Sequence, residues 1–459
     1  MDFPCLERTP IWKAFSEYGK NIFQPNGVFY WSGRAKNEAK INGTVGAILG
    51  PEMELEDNDR DRIITFYIPM IREFIQNDPQ ELVPYTPITG NPQLQEKWME
   101  WIIFKGKNAR NLPSGVIDLT GHTSLPVIVP GLSFGIFTAV RLFLDPGEKI
   151  ILPDKHWENY IAIIERQCGA RITTYPTFAE LNGKQQYNLD GLREKIEQSF
   201  IIQQKAVVLL NFPSNPTGYV PDTETIKKMK NFLVECVENL QKPIVVLCDD
   251  AYEGYVYDDS AANASVFYEL TNLHELIIPI KIDGATKEML MYGGRIGAIA
   301  LGLHDSWSNP QQLRQYCIEF ENKVKGTIRS TISNSNTYTQ TVVLKMLQQG
   351  FDKILESRQK VVKIIQERYE LMRTLLSVPI PGITMDPSGG AFFLLLNLDR
   401  KVSAIKFNEH LLRRYQTGFI PIVDEKNGVN ALRIAFSSIP VDQIAQCVEN
   451  IKNAAKDLF

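Results

Sequence analysis

Short runs of nearly unbroken aliphatic residues recur through the middle of this 459-residue chain, and several end in polar residues. They are Lys149-Ile150-Ile151-Leu152, Ala206-Val207-Val208-Leu209-Leu210, Ile244-Val245-Val246-Leu247, Ile277-Ile278-Pro279-Ile280 and Gly297-Ala298-Ile299-Ala300. Such runs are too short for core helices and lack the alternation of half-exposed strands. They fit strands buried on both faces. Helical patterns separate several of them, for example Thr223 to Asn239. The alternation predicts an α/β fold, a mostly parallel sheet covered by helices. In open α/β sheets the ligand site lies beyond the carboxyl ends of the strands. The residues just after each run are therefore where chemistry is expected.

The length favours two domains. A charged helix pattern from Asp352 to Leu376 precedes two further strand patterns, Gly389 to Leu396 and Ala431 to Phe436, each followed by a helix. This predicts a smaller α+β domain over 351–459 after a large domain over 56–350. A net charge of −4 gives no reason to expect nucleic acid or an anionic membrane as partner. No apolar run approaches membrane-spanning length. Met1-Asp2-Phe3-Pro4-Cys5 lacks a basic region and an apolar core, so no signal peptide is expected and a cytoplasmic location is the default. The six cysteines are scattered, with no C-x-x-C pair, and the five histidines form no H-E-x-x-H. No metal site is expected, and the thiols read as reduced and buried.

Polar residues do cluster after the runs. Leu247-Cys248 leads into Asp249-Asp250-Ala251-Tyr252. Leu210 leads into Asn211-Phe212-Pro213-Ser214-Asn215-Pro216-Thr217-Gly218. Asp283-Gly284-Ala285-Thr286-Lys287 follows a strand, and Arg295-Ile296-Gly297 comes eight residues after the lysine. Singly, each reads as a turn, a cap or a solvated side chain.

Together, and in this order, they resemble the class I aminotransferases, pyridoxal-phosphate enzymes of fold type I, and most closely the aspartate aminotransferases. Tyr85-Thr86-Pro87-Ile88-Thr89-Gly90, Trp157-Glu158-Asn159, Leu432-Arg433-Ile434 and Gly46 in Thr44-Val45-Gly46-Ala47 extend the match over nearly the whole chain. The resemblance implies a seven-stranded, mostly parallel sheet, a small domain joined by residues 1–55, and a homodimer with shared active sites. It implies pyridoxal 5'-phosphate as cofactor, an amino acid and a 2-oxo acid as substrates, and Lys287 as the amine that condenses with the cofactor. That amine must be neutral to move the substrate proton, so its pKa must be lowered.

The remaining roles are likewise implied. Asp249 pairs with the ring nitrogen; Tyr252 and Asn215 bond the ring hydroxyl oxygen; Trp157 stacks on the ring. Asp250 beside it reads as a solvated or capping acid. The phosphate falls to the turn Gly131-Leu132-Ser133, which opens an apolar helix, with Arg295, Thr286 and the neighbour's Tyr85. Gly131 and Gly284 depart from the family, where serines are common, and Tyr160 stands where a histidine is frequent. Arg433 holds the substrate α-carboxylate beside Gly46 and Asn215.

Arg329, in Ile328-Arg329-Ser330-Thr331, matches the segment in which the family carries an arginine for a side-chain carboxylate, offered from the neighbouring subunit. It implies aspartate or another dicarboxylic amino acid. A structural arginine on a helix flank is the other reading. A decarboxylase or lyase of the same fold is the nearest alternative function. A non-enzymatic regulator on this fold would need a DNA-binding module, and a dinucleotide-binding protein a G-x-G-x-x-G after a strand, which none of the runs has.

Overall fold

The structure is a computed structural model and describes residues 27–55, 60–181, 183–307 and 310–459, together with Tyr18 and Lys20. The first seventeen residues of the expected N-terminal segment, Cys5 among them, lie outside the described residues.

Seven strands form the central sheet: β1 (Val127–Val129), β2 (Lys149–Pro153), β3 (Arg171–Tyr175), β4 (Ala206–Asn211), β5 (Ile244–Asp249), β6 (Ile277–Asp283) and β7 (Gly297–Leu301). Their order is β1-β7-β6-β5-β4-β2-β3. Only β7 runs antiparallel to its neighbours. The five aliphatic runs all became strands. β1 and β3 escaped the pattern, because one has three residues and the other, Arg-Ile-Thr-Thr-Tyr, is not continuously apolar.

The two-residue period of a strand divides each run between two cores. Val207, Leu209, Val245, Leu247, Ile280 and Ile282 face one side and pack with helix α1 (Leu132–Phe143). Ala206, Val208, Leu210, Ile244, Val246 and Cys248 face the other, against the helices Pro92–Lys107, Leu189–Gln203 and Thr223–Leu240. Burial on both faces is why the runs lack polar alternation. Fully burying each such aliphatic side chain contributes about 1.5–3 kcal/mol.

The register puts the strand ends level. Asp249 pairs across to Asn211 on one side and Ile282 on the other. Polar residues thus emerge together at one edge of the sheet.

A 26-residue helix, Phe351–Leu376, leads to a second sheet of β8 (Ile383–Met385), β9 (Leu394–Leu398), β10 (Ile420–Asp424) and β11 (Val429–Ile434), all antiparallel in the order β8-β9-β11-β10. The first of these predicted strands begins later than expected, at Leu394, because Gly389 and Gly390 are held by the Gly218 carbonyl and Ala391 by the Tyr255 carbonyl. The second ends at Ile434, before a 3-10 turn at Phe436–Ser438. Helices Ala404–Tyr415 and Val441–Leu458 follow them.

The N-terminal part returns to this region: Ile41 and Asn42 pair in parallel with Thr417 and Gly418. Arg368, fully buried in the long helix, donates to the carbonyls of Leu49 and Ser437. The segment 41–51 is thereby fastened to the long helix and to the chain around Thr417 and Ser437. No helix among the described residues is long and apolar enough to cross a membrane.

Candidate active site

One cavity of about 810 Å³ opens where β4, β5 and β6 end. Lys287, Asp249, Tyr252, Asn215, Trp157, Arg295, Thr286, Leu132, Ser133, Arg433 and Gly46 all line it. They come from positions 46 to 433 of the chain, so the fold gathers what the sequence spreads out.

Lys287 sits in a four-residue helical turn, Ala285–Glu288, directly after β6. Its Nζ donates to the Gly46 carbonyl at 2.7 Å and lies 4.9 Å from the Tyr292 ring centre. Burial, with Arg433 and Arg295 nearby, lowers its pKa to about 8. The lowered value required of a proton-moving amine is therefore present, and desolvation is its largest cause.

Asp249, the last residue of β5, is buried. Its carboxylate accepts from the Tyr160 hydroxyl and, at 3.2 Å, from the Ala251 backbone. Burial pushes its pKa up to about 6, against the pull of those two donors. Tyr160, which replaces the family's frequent histidine, thus contacts the same acid. Asn211, at the matching end of β4, went unflagged in the sequence. Its Nδ2 donates to the Asp249 carbonyl at 2.9 Å, and its Oδ1 accepts from the Asn215 backbone at 2.8 Å. The signal was available, since Asn211 also follows an aliphatic run. Asp250 is not the solvated or capping acid expected of it. It is buried and accepts from Lys281 Nζ at 2.6 Å.

Arg433 projects from β11, buried, over the Phe393 ring at 4.4 Å. It donates to Asn215 Oδ1 at 3.2 Å and to the Thr44 carbonyl at 3.1 Å. Burial lowers its pKa to about 10, and its Nε has no hydrogen-bond partner among the described residues. A buried guanidinium without a paired carboxylate is suited to receive one. Gly46 lies so close that a Cβ there would meet the Phe393 ring at 2.9 Å.

At the other end of the cavity Gly131 precedes α1 with φ +85°. A Cβ on Gly131 would stand 2.7 Å from Arg295 Nη2. A serine there would need both a left-handed backbone and the space the guanidinium fills, which accounts for one departure from the family. Gly284 has a different reason: its Cβ would meet the Ile296 carbonyl oxygen at 2.6 Å. Thr286 Oγ1 is buried with no hydrogen-bond partner among the described residues. The helix start, Arg295 and this orphaned hydroxyl are the donors a phosphate needs. Trp157 lies beside Tyr160, ring centres 5.4 Å apart and nearly perpendicular.

Tyr85 and Arg329 do not line the cavity of their own chain. Tyr85 is 91% exposed, and Arg329 is exposed near the end of helix Pro310–Thr331, donating to Ser333. Their segments are tied together: Asn334 Nδ2 donates to the Thr86 carbonyl at 2.7 Å and Thr337 Oγ1 to the Pro84 carbonyl at 3.3 Å.

Comparison with known proteins assigns this arrangement to a family. The sequence profile described as aminotransferase class I and II matches residues 58–451, and the chain belongs to that family. The "probable aspartate/prephenate aminotransferase" of Aquifex aeolicus (strain VF5) is 25% identical over 82% of this chain and 84% of its own. A solved aminotransferase from Anaerococcus prevotii superposes with a TM-score of 0.76 over 97% of this chain and 99% of that one, at 21% identity. The multiple-substrate aminotransferase of Thermococcus profundus gives 0.74 over 98% and 99%, at 17% identity. The fold is that of the fold type I aminotransferases. The chain is a pyridoxal-phosphate-dependent aminotransferase, passing an amino group between an amino acid and a 2-oxo acid.

Proposed function

We propose that the cavity is the active site, that Lys287 is its catalytic amine, and that the substrate is aspartate or another dicarboxylic amino acid. The observation that carries the site is Lys287, half-buried and with a lowered pKa, in one cavity with Asp249 and Arg433. When bound, pyridoxal phosphate supplies an aldehyde that condenses with amines and an electron sink for the bonds at Cα. Asp249 would hold the ring nitrogen protonated, and Tyr252 with Asn215 would serve the ring hydroxyl oxygen. Gly131, Leu132, Ser133, Thr286 and Arg295 would hold the phosphate, and Trp157 would offer its face to the ring.

Arg433 takes the substrate α-carboxylate and orients Cα toward Lys287 Nζ. Its pKa lowered towards neutrality makes Lys287 the group suited to take the Cα proton.

The working unit in this reading is a homodimer. Tyr85 and Arg329 are both exposed, as are Val83 and Ile332, on segments tied together by bonds from Asn334 and Thr337, and none of the four lines the chain's own cavity. Exposed side chains of this kind on joined segments support a role in a neighbour's site. Arg329 then meets the side-chain carboxylate, in agreement with the aspartate named for the Aquifex relative.

The test is the visible spectrum of the purified protein. A cofactor band that shifts with aspartate and returns with 2-oxoglutarate is expected. An Arg329→Leu variant should lose aspartate turnover far more than turnover of an apolar amino acid; equal loss for both removes the dicarboxylate reading. Co-expressed Arg329→Leu and Lys287→Ala chains should regain about a quarter of wild-type turnover, since half the dimers then hold one intact site. No recovery would refute a shared site.

A further inference from the structure

Behind the cavity floor lies a cluster of charges that the proposed reaction does not use. Three cavity residues are each followed by a buried acid: Asp249 by Asp250, Tyr252 by Glu253, and Lys287 by Glu288. These acids converge on two ammonium groups. Lys281 Nζ, on β6 and fully buried, donates to Asp250 at 2.6 Å and to Glu253 at 2.9 Å. Lys105 Nζ, from helix Pro92–Lys107, donates to Glu253 at 2.6 Å and lies 3.0 Å from Glu288 and 3.3 Å from Asp283. Carboxylate oxygens of Glu253, Asp283 and Glu288 lie within 4.8 Å of one another, a spacing a metal ion would accept, but the Lys105 ammonium already sits among them.

Gathering buried charges is a poor way to gain stability, since apolar side chains of the same volume do as well or better. What such a cluster does well is fix relative position, because each charge tolerates few placements. Its members alternate along the chain with the residues of the site, so holding one holds the backbone of the other. We propose that Lys105 and Lys281 are positioning residues that set the relative placement of Asp249, Tyr252 and Lys287 through the acids that follow each. The inference rests on the site reading above.

The test pairs two substitutions at one position. Asp250→Ala removes an anchor and leaves Lys281 paired with Glu253; Asp250→Asn keeps an oxygen that accepts from Lys281. Three quantities are read: affinity of the apoprotein for pyridoxal phosphate, the pH midpoint of the visible band of the loaded protein, and Tm. Asp250→Ala should bind the cofactor at least about 10-fold more weakly with a displaced midpoint, while Asp250→Asn stays within about threefold of wild type. Equal effects of Ala and Asn overturn the proposal. So does a fall in Tm with affinity and midpoint unchanged, which is what a purely structural cluster would give. Glu288→Ala against Glu288→Gln decides in the same way should Asp250→Ala not fold. A Lys287→Met control that kept the wild-type band would instead refute the site reading itself.

Discussion

Replacing Tyr160 by Phe removes one oxygen and, with it, one of the two hydrogen bonds the Asp249 carboxylate receives. The ring should keep its place, since Tyr160 is buried beside Trp157. A hydrogen bond to a charged group contributes about 1.5–3 kcal/mol, and 1.36 kcal/mol is one pKa unit, so the Asp249 midpoint should rise by about 1–2 units. It starts at about 6, and the variant should therefore titrate at about 7–8. Cofactor binding with a protonated ring nitrogen needs the ionised acid. The variant's affinity should consequently fall about 5- to 50-fold relative to wild type at pH 6, about 2- to 10-fold at pH 7, and hardly at all at pH 9. The assay is a fluorescence titration of both apoproteins with pyridoxal phosphate across that range. The ratio of the two constants cancels the titration of Lys287, which is common to both. A ratio independent of pH would refute the argument, because the Tyr160 hydroxyl would then not be acting through the charge on Asp249.

Three further outcomes follow from the same geometry. Lys287→Met should abolish turnover yet stabilise the apoprotein at pH 7 by about 3 kcal/mol in a denaturant titration. The sign follows from the depressed pKa of about 8: the folded state holds its proton less tightly than the unfolded chain, so the penalty is full below pH 8 and disappears as pH rises towards 10.5. Gly131→Ala should lower stability by about 1–2 kcal/mol and weaken cofactor binding, because it strains a φ of +85° and pushes on Arg295. Arg433→Leu should lower kcat/KM by about 100-fold or more, the equivalent of about 3 kcal/mol, while cofactor affinity measured by titration stays near wild type.

The sequence by itself determined the kind of sheet. An aliphatic run without alternation can be satisfied only where both faces are covered, and each of the five runs lies in the central sheet. It also marked the polar residues at the strand ends, because chain direction in a parallel sheet brings those ends to one edge. Position near the strand ends drew attention to Lys287, Asp249, Tyr252 and Asn215, while the roles expected of them came only from the family resemblance of the whole ordered set. β3 was not legible, since Arg171–Tyr175 carries its polar residues inside the strand.

Only the tertiary structure decided which partners those residues have. The resemblance singled out Asp249 over Asp250, but not where Asp250 would go: one enters the cavity and the other the lysine cluster because successive residues at a strand end point to opposite sides. Tyr160 meets Asp249 from 89 positions away, and Arg433 reaches Asn215 across 218. Contacts at such separations depend on how the helices and the second sheet close over the strand ends. No run, turn or period in the chain records that closure, because it is set by packing between elements rather than within them.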